Sequence, residues 1–190
     1  MLRETSKTKS TGSFSYNYGT TDSTTDKDNG RVDLRNDWLP QGGSKWRPFV
    51  QGSLEYDSFQ DWDWRVAAAA GVGYELIKTD TILLLPRVGL GFSKEFGGSD
   101  NKIHPEALVG ADFEWKIDER SKFFASFDSF WKLDEIPEYR VFARAGYEIL
   151  VDPKSGMSLK LGLEDRYDSD PGAGKKKNDI TYFALVAIPF

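Results

Sequence analysis

Apolar and polar residues alternate along most of this chain with a period of two. From Tyr139 to Ile149 the odd positions are Tyr, Val, Ala, Ala, Tyr and Ile, and mostly charged residues stand between them. The segment Met157–Leu163 alternates in the same way. A helix would need apolar residues three and four positions apart, and no sustained stretch of that kind occurs. The pattern therefore predicts β-strands with one apolar face and one charged face.

The whole chain, taken in this way, predicts about ten strands, most of them about 10–14 residues long. Strands of soluble proteins are usually about five or six residues long, whereas a tilted strand that crosses an outer membrane needs about 9–11. Residues 1–10 are polar, and we expect them to be a disordered terminus before a β-domain over 11–190. The predicted strands are 11–19, 30–39, 46–57, 63–76, 81–93, 104–116, 121–132, 138–150, 156–167 and 179–190.

The connections between these strands differ in length in a regular way. The first, fifth and ninth (TTDSTTDKDN, KEFGGSDNK and DSDPGAGKKKN) are long, and the even-numbered connections are short. In an up-and-down sheet, odd and even connections lie at opposite ends, and long loops outside with short turns inside are typical of outer-membrane proteins. The chain is therefore predicted to be an antiparallel up-and-down transmembrane β-barrel.

Composition changes this picture in one respect. The net charge is −5 and the mean hydropathy is −0.52, which suits a soluble protein, but a barrel turns only every second residue to lipid. Aromatic residues make up 14% of the chain, and the tryptophans lie near predicted strand ends, as two interfacial belts require. These are Trp38, Trp46 and Trp115 at the periplasmic ends, and Trp62, Trp64 and Trp131 at the outer ends.

The polar face of the strands carries charges of both signs. A barrel of ten to twelve strands is much narrower than a porin, so we expect these side chains to plug the lumen in ion pairs. A narrow path for ions or small solutes is the alternative, and a soluble β-sandwich or lipocalin-like barrel also stays open, because alternation does not fix which face is inside. The predicted lumen charges are Arg65, Glu75, Arg87, Glu106, Asp112, Glu114, Arg140, Arg144, Glu148, Lys160, Glu164 and Arg166.

The last strand alternates to the end of the sequence, with Tyr182, Val186, Ile188 and Phe190 on its apolar face. An alternating strand that ends on an aromatic residue resembles the signal that the outer-membrane assembly machinery recognises. Physically it is an apolar-faced edge strand that can pair with another strand during insertion. We therefore expect this machinery, outer-membrane lipid and lipopolysaccharide as partners.

Short glycine-and-aromatic motifs recur along the chain. They are Tyr56-Asp57 with Phe59, Asp63-Trp64-Arg65, Gly71-Val72-Gly73-Tyr74, Arg87-Val88-Gly89 with Gly91, Gly162, the run RYDSDP at Arg166–Pro171, and Lys177-Asn178-Asp179 with Tyr182 and Phe190. From about residue 30 onward the chain thereby resembles the salt-induced outer membrane proteins, the family of domain of unknown function 481. The resemblance implies a bacterial outer-membrane barrel with a role in envelope or salt stress. It also implies a signal peptide and about twelve strands in the full-length protein, which the polar start MLRETSKTKS does not supply.

Little in the sequence points to catalysis. Cysteine is absent and His104 is the only imidazole. His104 beside Glu106, with Ser93, Ser99 or Ser129, would be the parts of a lipid-modifying enzyme, but at no recognisable spacing. We expect a non-enzymatic monomer without cofactor or metal, and this enzyme is the least favoured alternative.

The predicted outer loops are acidic, and the last of them is also basic. Carboxylates in such loops suit Ca²⁺ or Mg²⁺, and Lys175-Lys176-Lys177 suits lipopolysaccharide phosphates, although solvated loops are the simpler interpretation of both. The acidic balance argues against nucleic acid as a partner. The acidic residues are Asp22, Asp26, Asp28, Asp57, Asp61, Asp63, Asp168 and Asp170.

Overall fold

The computed structural model describes residues 2–21, 23–98, 100–171 and 176–187. Every regular element in these residues is a β-strand, and ten long strands form one antiparallel up-and-down sheet that curves into a half-barrel. No helix in the described part of the chain is long and apolar enough to cross a membrane. The strands are β1 (Leu2–Glu4), β2 (Thr8–Thr21), β3 (Thr24–Trp38), β4 (Trp46–Asp57), β5 (Trp64–Tyr74), β6 (Ile77–Lys78), β7 (Ile82–Phe96), β8 (Ile103–Lys116), β9 (Ser121–Lys132), β10 (Tyr139–Asp152), β11 (Met157–Asp168) and β12 (Asn178–Ala187).

The ten long strands are those that the alternation predicts, so the all-β, up-and-down prediction is confirmed. The two short strands are additions: β1 pairs with the start of β2, and β6 pairs with β7. Both β1 and the first residues of β2 lie within 1–10. The structure therefore differs from the expectation of a disordered terminus there.

The first connection is not the long loop that the sequence predicts. β2 continues to Thr21 and β3 begins at Thr24. Polar pairs hold this extension together: the Tyr16 hydroxyl donates to Asp28 at 2.9 Å, and the Asn17 amide donates to Asn29 at 3.0 Å. A prediction from apolar alternation ends these strands too early, because their last residues are polar. Threonine favours extended backbone, and cross-strand hydrogen bonds take the place of apolar packing here.

The closed barrel of the sequence-based prediction is not what the described residues form. One edge of the sheet is β2 with the short β1, the other is β12, and no pairing joins them among the described residues. Inward-facing side chains nevertheless span this gap, which we call the seam. Lys27 donates to Asp179 at 3.1 Å, and Arg166 donates to Ser15 at 3.2 Å.

The two ends of the sheet are named here after residues at their rims. The His104 rim carries the β2–β3 turn and the connections 58–63, 97–102, 133–138 and 169–177, and the Trp115 rim carries 39–45, 75–81, 117–120 and 153–156. Along β7, Leu85 and Arg87 are buried on the inward face, while Val88 and Leu90 alternate with glycine and are exposed on the outward face.

Small residues on the inward face of β5 and β7 make space inside the sheet. A methyl group at Gly71 would overlap the carbonyl oxygen of Val88 and the ring of Phe49. The small side chains of these strands therefore allow β5 and β7 to lie close to each other and to the Phe49 ring. They include Ala67, Ala69 and glycines besides Gly71.

Candidate functional site

A group of phenylalanine rings fills the interior of the half-barrel. Phe49, Phe130 and Phe142, which we call the phenylalanine cluster, pack with Leu108 and Ala69. The rings of Phe130 and Phe142 meet edge to face, with centroids 5.9 Å apart. Sequence reasoning missed this cluster, although the signal was present: all three rings stand at positions where their strands otherwise carry inward-facing charges.

Four guanidinium groups cover the phenylalanine cluster. Arg31 lies 4.0 Å from the centroid of Phe142, and Arg140 lies 5.4 Å from that of Phe130. Arg35 and Arg87 lie 5.4 and 5.6 Å from the centroid of Phe49. Stacking on a ring leaves the N–H groups at the edge of each guanidinium free to reach carboxylates.

One cluster of buried ion pairs lies toward the His104 rim. Arg140 donates to Glu106 at 2.6 Å, and the Ser93 hydroxyl donates to the same carboxylate oxygen at 2.7 Å. Glu55 lies 2.7 Å from Arg31 and 3.6 Å from Arg140. Each buried charge in this cluster therefore has an opposite charge beside it, as burial requires.

A second cluster lies toward the Trp115 rim. Asp112 accepts from Arg35 at 2.8 Å and from Arg87 at 3.0 Å, and Arg87 also reaches Asp128 at 3.0 Å. Near the rim itself, lysines and glutamates alternate across the interior at distances of 3.2, 3.9, 3.1 and 3.4 Å. This series is Lys9, Glu114, Lys122, Glu148 and Lys160.

A cavity of about 330 Å³ lies between the phenylalanine cluster and these charges. Arg144 lines it and stacks on Phe183, with 4.4 Å between the guanidinium carbon and the ring centroid. Within the described residues, Arg144 forms no ion pair or hydrogen bond. All twelve predicted lumen charges are placed inward, and the other eleven form ion pairs.

The structure places five of the six predicted belt tryptophans on the outward face, where they are exposed. Trp38, Trp46 and Trp115 lie at one rim, and Trp64 and Trp131 lie at the other. Trp62 is a correction: it is only 5% exposed, because its ring folds inward against the guanidinium of Arg65 at 4.3 Å. The position of Trp62 near a strand end predicted at which rim the residue lies, but it did not predict whether the ring points outward or inward.

The predicted assembly signal lies partly outside the described residues. Tyr182 and Val186 are exposed on the outward face of β12, whereas Ile188 and Phe190 lie beyond the residues that the structure describes. Asp22, Ser99, Lys175 and the side chain of Asp26 are also outside the part of the chain that the structure describes. Lys176 and Lys177 are exposed in the last connection.

His104 is held by carboxylates from two rim connections. Its Nε2 lies 2.8 Å from Asp100, and its Nδ1 lies 3.0 Å from Asp134 and 3.6 Å from Glu135. The imidazole is only 2% exposed. Neither ring nitrogen hydrogen-bonds a serine among the described residues, since Ser93 donates to Glu106 instead.

The Asp100 carboxylate accepts hydrogen bonds from the backbone and from His104. The backbone N–H of Lys102 donates to it at 2.9 Å, and His104 adds a second hydrogen bond. These contacts, the backbone one first, hold the pKa of Asp100 below its usual value. Asp100, His104 and Glu135 each direct one ligand atom into a region less than 4.8 Å across, which suits a metal ion.

Several of the acidic residues predicted to lie in outer loops are used by the protein itself. Asp28 accepts hydrogen bonds from Tyr16 and Tyr56, and Asp168 pairs with Arg65 at 3.1 Å. These contacts stabilise the His104 rim, so the acidic character there is only partly available to a cation from outside.

The fold and the interior together define an all-β antiparallel half-barrel with an apolar outward face and an ion-paired inward face. The chain belongs to the family described as "Protein of unknown function, DUF481", whose model matches residues 1–190. The match includes the first thirty residues, which the motif resemblance did not cover. No curated protein and no solved structure matches the chain.

Proposed function

We propose that this protein is a monomeric, non-enzymatic β-barrel of the bacterial outer membrane with a plugged lumen. The observation that carries this proposal is the inverted distribution of polarity. Leu90, in the middle of β7, is 67% exposed on the outward face, whereas nearby Arg87 is 2% exposed on the inward face. A continuous apolar surface of this kind is unfavourable in water, and it is what a lipid-facing band requires.

The exposed tryptophans support the same proposal. They occur at both rims and point outward, and indole rings at two levels anchor a protein at the two membrane–water interfaces. Between them, β7 and β8 expose Val88, Leu90 and Val109. The apolar band and the aromatic belts thus follow each other along the strands in the order that a bilayer requires.

Membrane insertion also sets a condition on the seam. A sheet edge in hydrocarbon leaves backbone N–H and C=O groups without partners, so an open half-barrel would be strongly unfavourable there. Ten strands place β2 and β12 in opposite directions, which allows antiparallel pairing. The contacts of Lys27 and Arg166 across the seam already hold the two edges near each other. We infer that β2 and β12 pair in the membrane.

The interior favours a plug over a pore. The phenylalanine cluster fills the inside of the sheet, and two clusters of ion pairs lie on either side of it. We therefore expect no conductance from wild-type protein in planar bilayers. Reproducible unitary steps would instead support the alternative, a narrow channel that uses the cavity beside Arg144.

Insertion is tested with a charge on the outward face. Leu90→Arg places a cation in the proposed lipid-facing band, at a cost of about 2–4 kcal/mol near the bilayer midplane. We expect this variant to fold poorly into lipid vesicles, measured by tryptophan fluorescence and heat-dependent mobility on gels. Ile136→Arg is the matched control, because Ile136 is also highly exposed but lies in a rim connection. Folding of wild type and Leu90→Arg alike as soluble monomers without detergent would overturn the proposal.

The proposed partners follow from the same location. Outer-membrane lipid surrounds the apolar face, and Lys176 and Lys177 meet lipopolysaccharide phosphates. The outward face of β12, with Tyr182 and Val186, is the proposed contact for the assembly machinery. A role in salt stress is proposed from the resemblance to salt-induced proteins, and growth of a deletion strain in high salt tests it.

A further inference from the structure

The guanidinium of Arg144 carries a positive charge that no carboxylate among the described residues neutralises. Glu164 lies directly opposite it on β11, but that carboxylate accepts from Arg166 instead, at 2.8 Å. The Nε atom of Arg144 is buried without a hydrogen-bond partner in the described part of the chain. Arginine does not lose its proton in proteins, so the charge persists. An uncompensated charge in a protein interior is unfavourable, and a ligand of opposite charge would remove the cost.

The cavity of about 330 Å³ lies beside this guanidinium. Five other cationic side chains line it, and each has a carboxylate within ion-pair distance. These are Lys9, Arg31, Arg35, Arg47 and Arg87. Among the described lining residues, Arg144 is thus the one cation without a counterion. Because the same wall also carries Asp33 and Asp128, it would repel a second negative charge on a ligand, and it suits an anion with a single charge.

The wall of the cavity is apolar on one side. Phe130 and Phe142 of the phenylalanine cluster line it together with Phe124, and Ala67 and Ala69 contribute only methyl groups. An apolar cavity of about 150 Å³ is large enough for benzene. The volume of about 330 Å³ therefore accommodates a larger aromatic body beside the charge.

We propose that this cavity binds a small aromatic monocarboxylate, whose carboxylate pairs with Arg144 and whose ring packs against Phe124. One face of the Arg144 guanidinium stacks on Phe183, which leaves its N–H groups directed along the edge, where a carboxylate accepts two of them at once. Ser126 lies directly across from Arg144 on β9 and lines the same cavity. Its hydroxyl is a second donor for the ligand carboxylate.

Phe124 is placed for this role by the register of β9 and β10. Arg144 is opposite Ser126, and Gly146 is opposite Phe124. The ring therefore occupies the inward-facing position next to Ser126, diagonally across from Arg144, and such neighbours lie within reach of large side chains. A carboxylate at Arg144 thus places an attached ring against an apolar surface.

The cavity also extends toward the Trp115 rim. Lys9 and Glu114 belong to its lining, and their side chains are partly exposed there. An ion pair with this exposure contributes little stability, so it opens readily and gives a ligand a path from solvent. The site requires only the folded sheet, and a failure of ligand binding would leave the proposed membrane location unaffected.

Titration of the folded chain in detergent micelles with 2-naphthoate tests the site. Isothermal titration calorimetry measures the dissociation constant. The uncharged 2-naphthylmethanol has the same ring system and reports partition into the micelle. We expect one naphthoate per chain, and the alcohol should bind at least about 10-fold more weakly. Arg144→Gln should weaken naphthoate binding about 10- to 100-fold, and Ser126→Ala about 2- to 10-fold.

Arg120→Gln is the matched control. It removes the same charge from an exposed position in the connection 117–120, outside the cavity, so it should bind naphthoate as wild type does. Without ligand, Arg144→Gln should unfold at the temperature of wild type or above it, because it removes an uncompensated charge. A purely structural role of Arg144 would instead lower that temperature.

Three results would overturn the assignment. The first is wild-type protein that binds no naphthoate, as expected if Glu164 turns to neutralise Arg144 in solution. The second is equal affinity of wild type and Arg144→Gln. The third is binding of the alcohol as tightly as the acid, and this comparison needs no substitution, so it remains decisive if a variant fails to fold.

Discussion

The guanidinium of Arg31 stacks on the ring of Phe142, with 4.0 Å between the guanidinium carbon and the ring centroid. The two residues belong to β3 and β10, which are far apart in the sheet, so this contact crosses the interior. The same guanidinium pairs with Glu55 at 2.7 Å. A ring therefore covers the face of this buried cation while a carboxylate neutralises its charge.

Phe142→Leu tests the stacking. Leucine keeps most of the apolar volume but removes the ring, so we expect a loss of about 1–2 kcal/mol in the free energy of unfolding. Phe127→Leu on the outward face is the control and should change stability less. Denaturant unfolding in detergent, followed by tryptophan fluorescence, measures both. Equal losses in the two variants would argue against a specific role of the stacked ring.

The buried pair of Arg140 and Glu106 should show strong coupling. Glu106→Gln leaves Arg140 without its nearest carboxylate, and removing one partner of a buried pair costs about 3–5 kcal/mol. Replacing both residues with leucine should cost less than either single substitution, because no buried charge is left unpaired. A double-mutant cycle measured by unfolding gives the coupling energy. Additive losses in that cycle would argue against a direct interaction between the two side chains.

Gly71 should not tolerate a side chain. A methyl group there overlaps the Val88 carbonyl oxygen and the Phe49 ring, so Gly71→Ala should destabilise the protein by about 1–3 kcal/mol. Gly52→Ala on neighbouring β4 is the control, because a methyl there meets its nearest atom only at 3.4 Å. Thermal unfolding of the two variants distinguishes them. A loss at Gly52 as large as at Gly71 would show that backbone freedom, and not space, is the cause.

The stability of the protein should depend on pH through the Asp118 carboxylate at the Trp115 rim. The hydroxyl of Ser121 donates to its carboxylate at 2.6 Å, the backbone N–H of Arg120 adds a second bond, and together they lower the pKa of Asp118 below 3.8. The stabilisation is thus present above that pH and is lost as the pH falls through the lowered value. Asp118→Asn should be less stable than wild type at about pH 6, and the difference should shrink in acid. A difference that grows in acid would refute this assignment.

Seam closure can be followed by hydrogen exchange. If β2 and β12 pair in detergent micelles or vesicles, their amides should exchange as slowly as those of β5, which has a partner on each side. Rapid exchange confined to β12 and to β2 beyond its contact with β1 would show that the edges remain open, and it would count against insertion.

The strands could be predicted from the sequence because each inward–outward alternation is local. The polar hairpin of β2 and β3 was missed since nothing apolar marks its end, and Trp62 was misplaced because a loop can turn its side chain either way. The phenylalanine cluster could have been predicted, because its three rings stand at inward-facing positions where their strands otherwise carry charges. The partners of His104 could not be predicted from the sequence. The topology places the connections that contain Asp100 and Glu135 at one rim, but the conformation of these connections decides which carboxylates contact the ring.

No ion pair among the described residues joins the cluster of Arg140, Glu106 and Glu55 to the cluster of Arg87, Asp112 and Arg35. The phenylalanine rings that separate them carry no formal charge. We therefore expect the two clusters to behave as two electrostatic compartments that are only weakly coupled to each other. Substitutions within one compartment should show non-additive energies, whereas a pair of substitutions taken from both should add to within a few tenths of a kcal/mol, about the scatter found for distant sites. One half of the interior can thus change its charge pattern without altering the balance in the other.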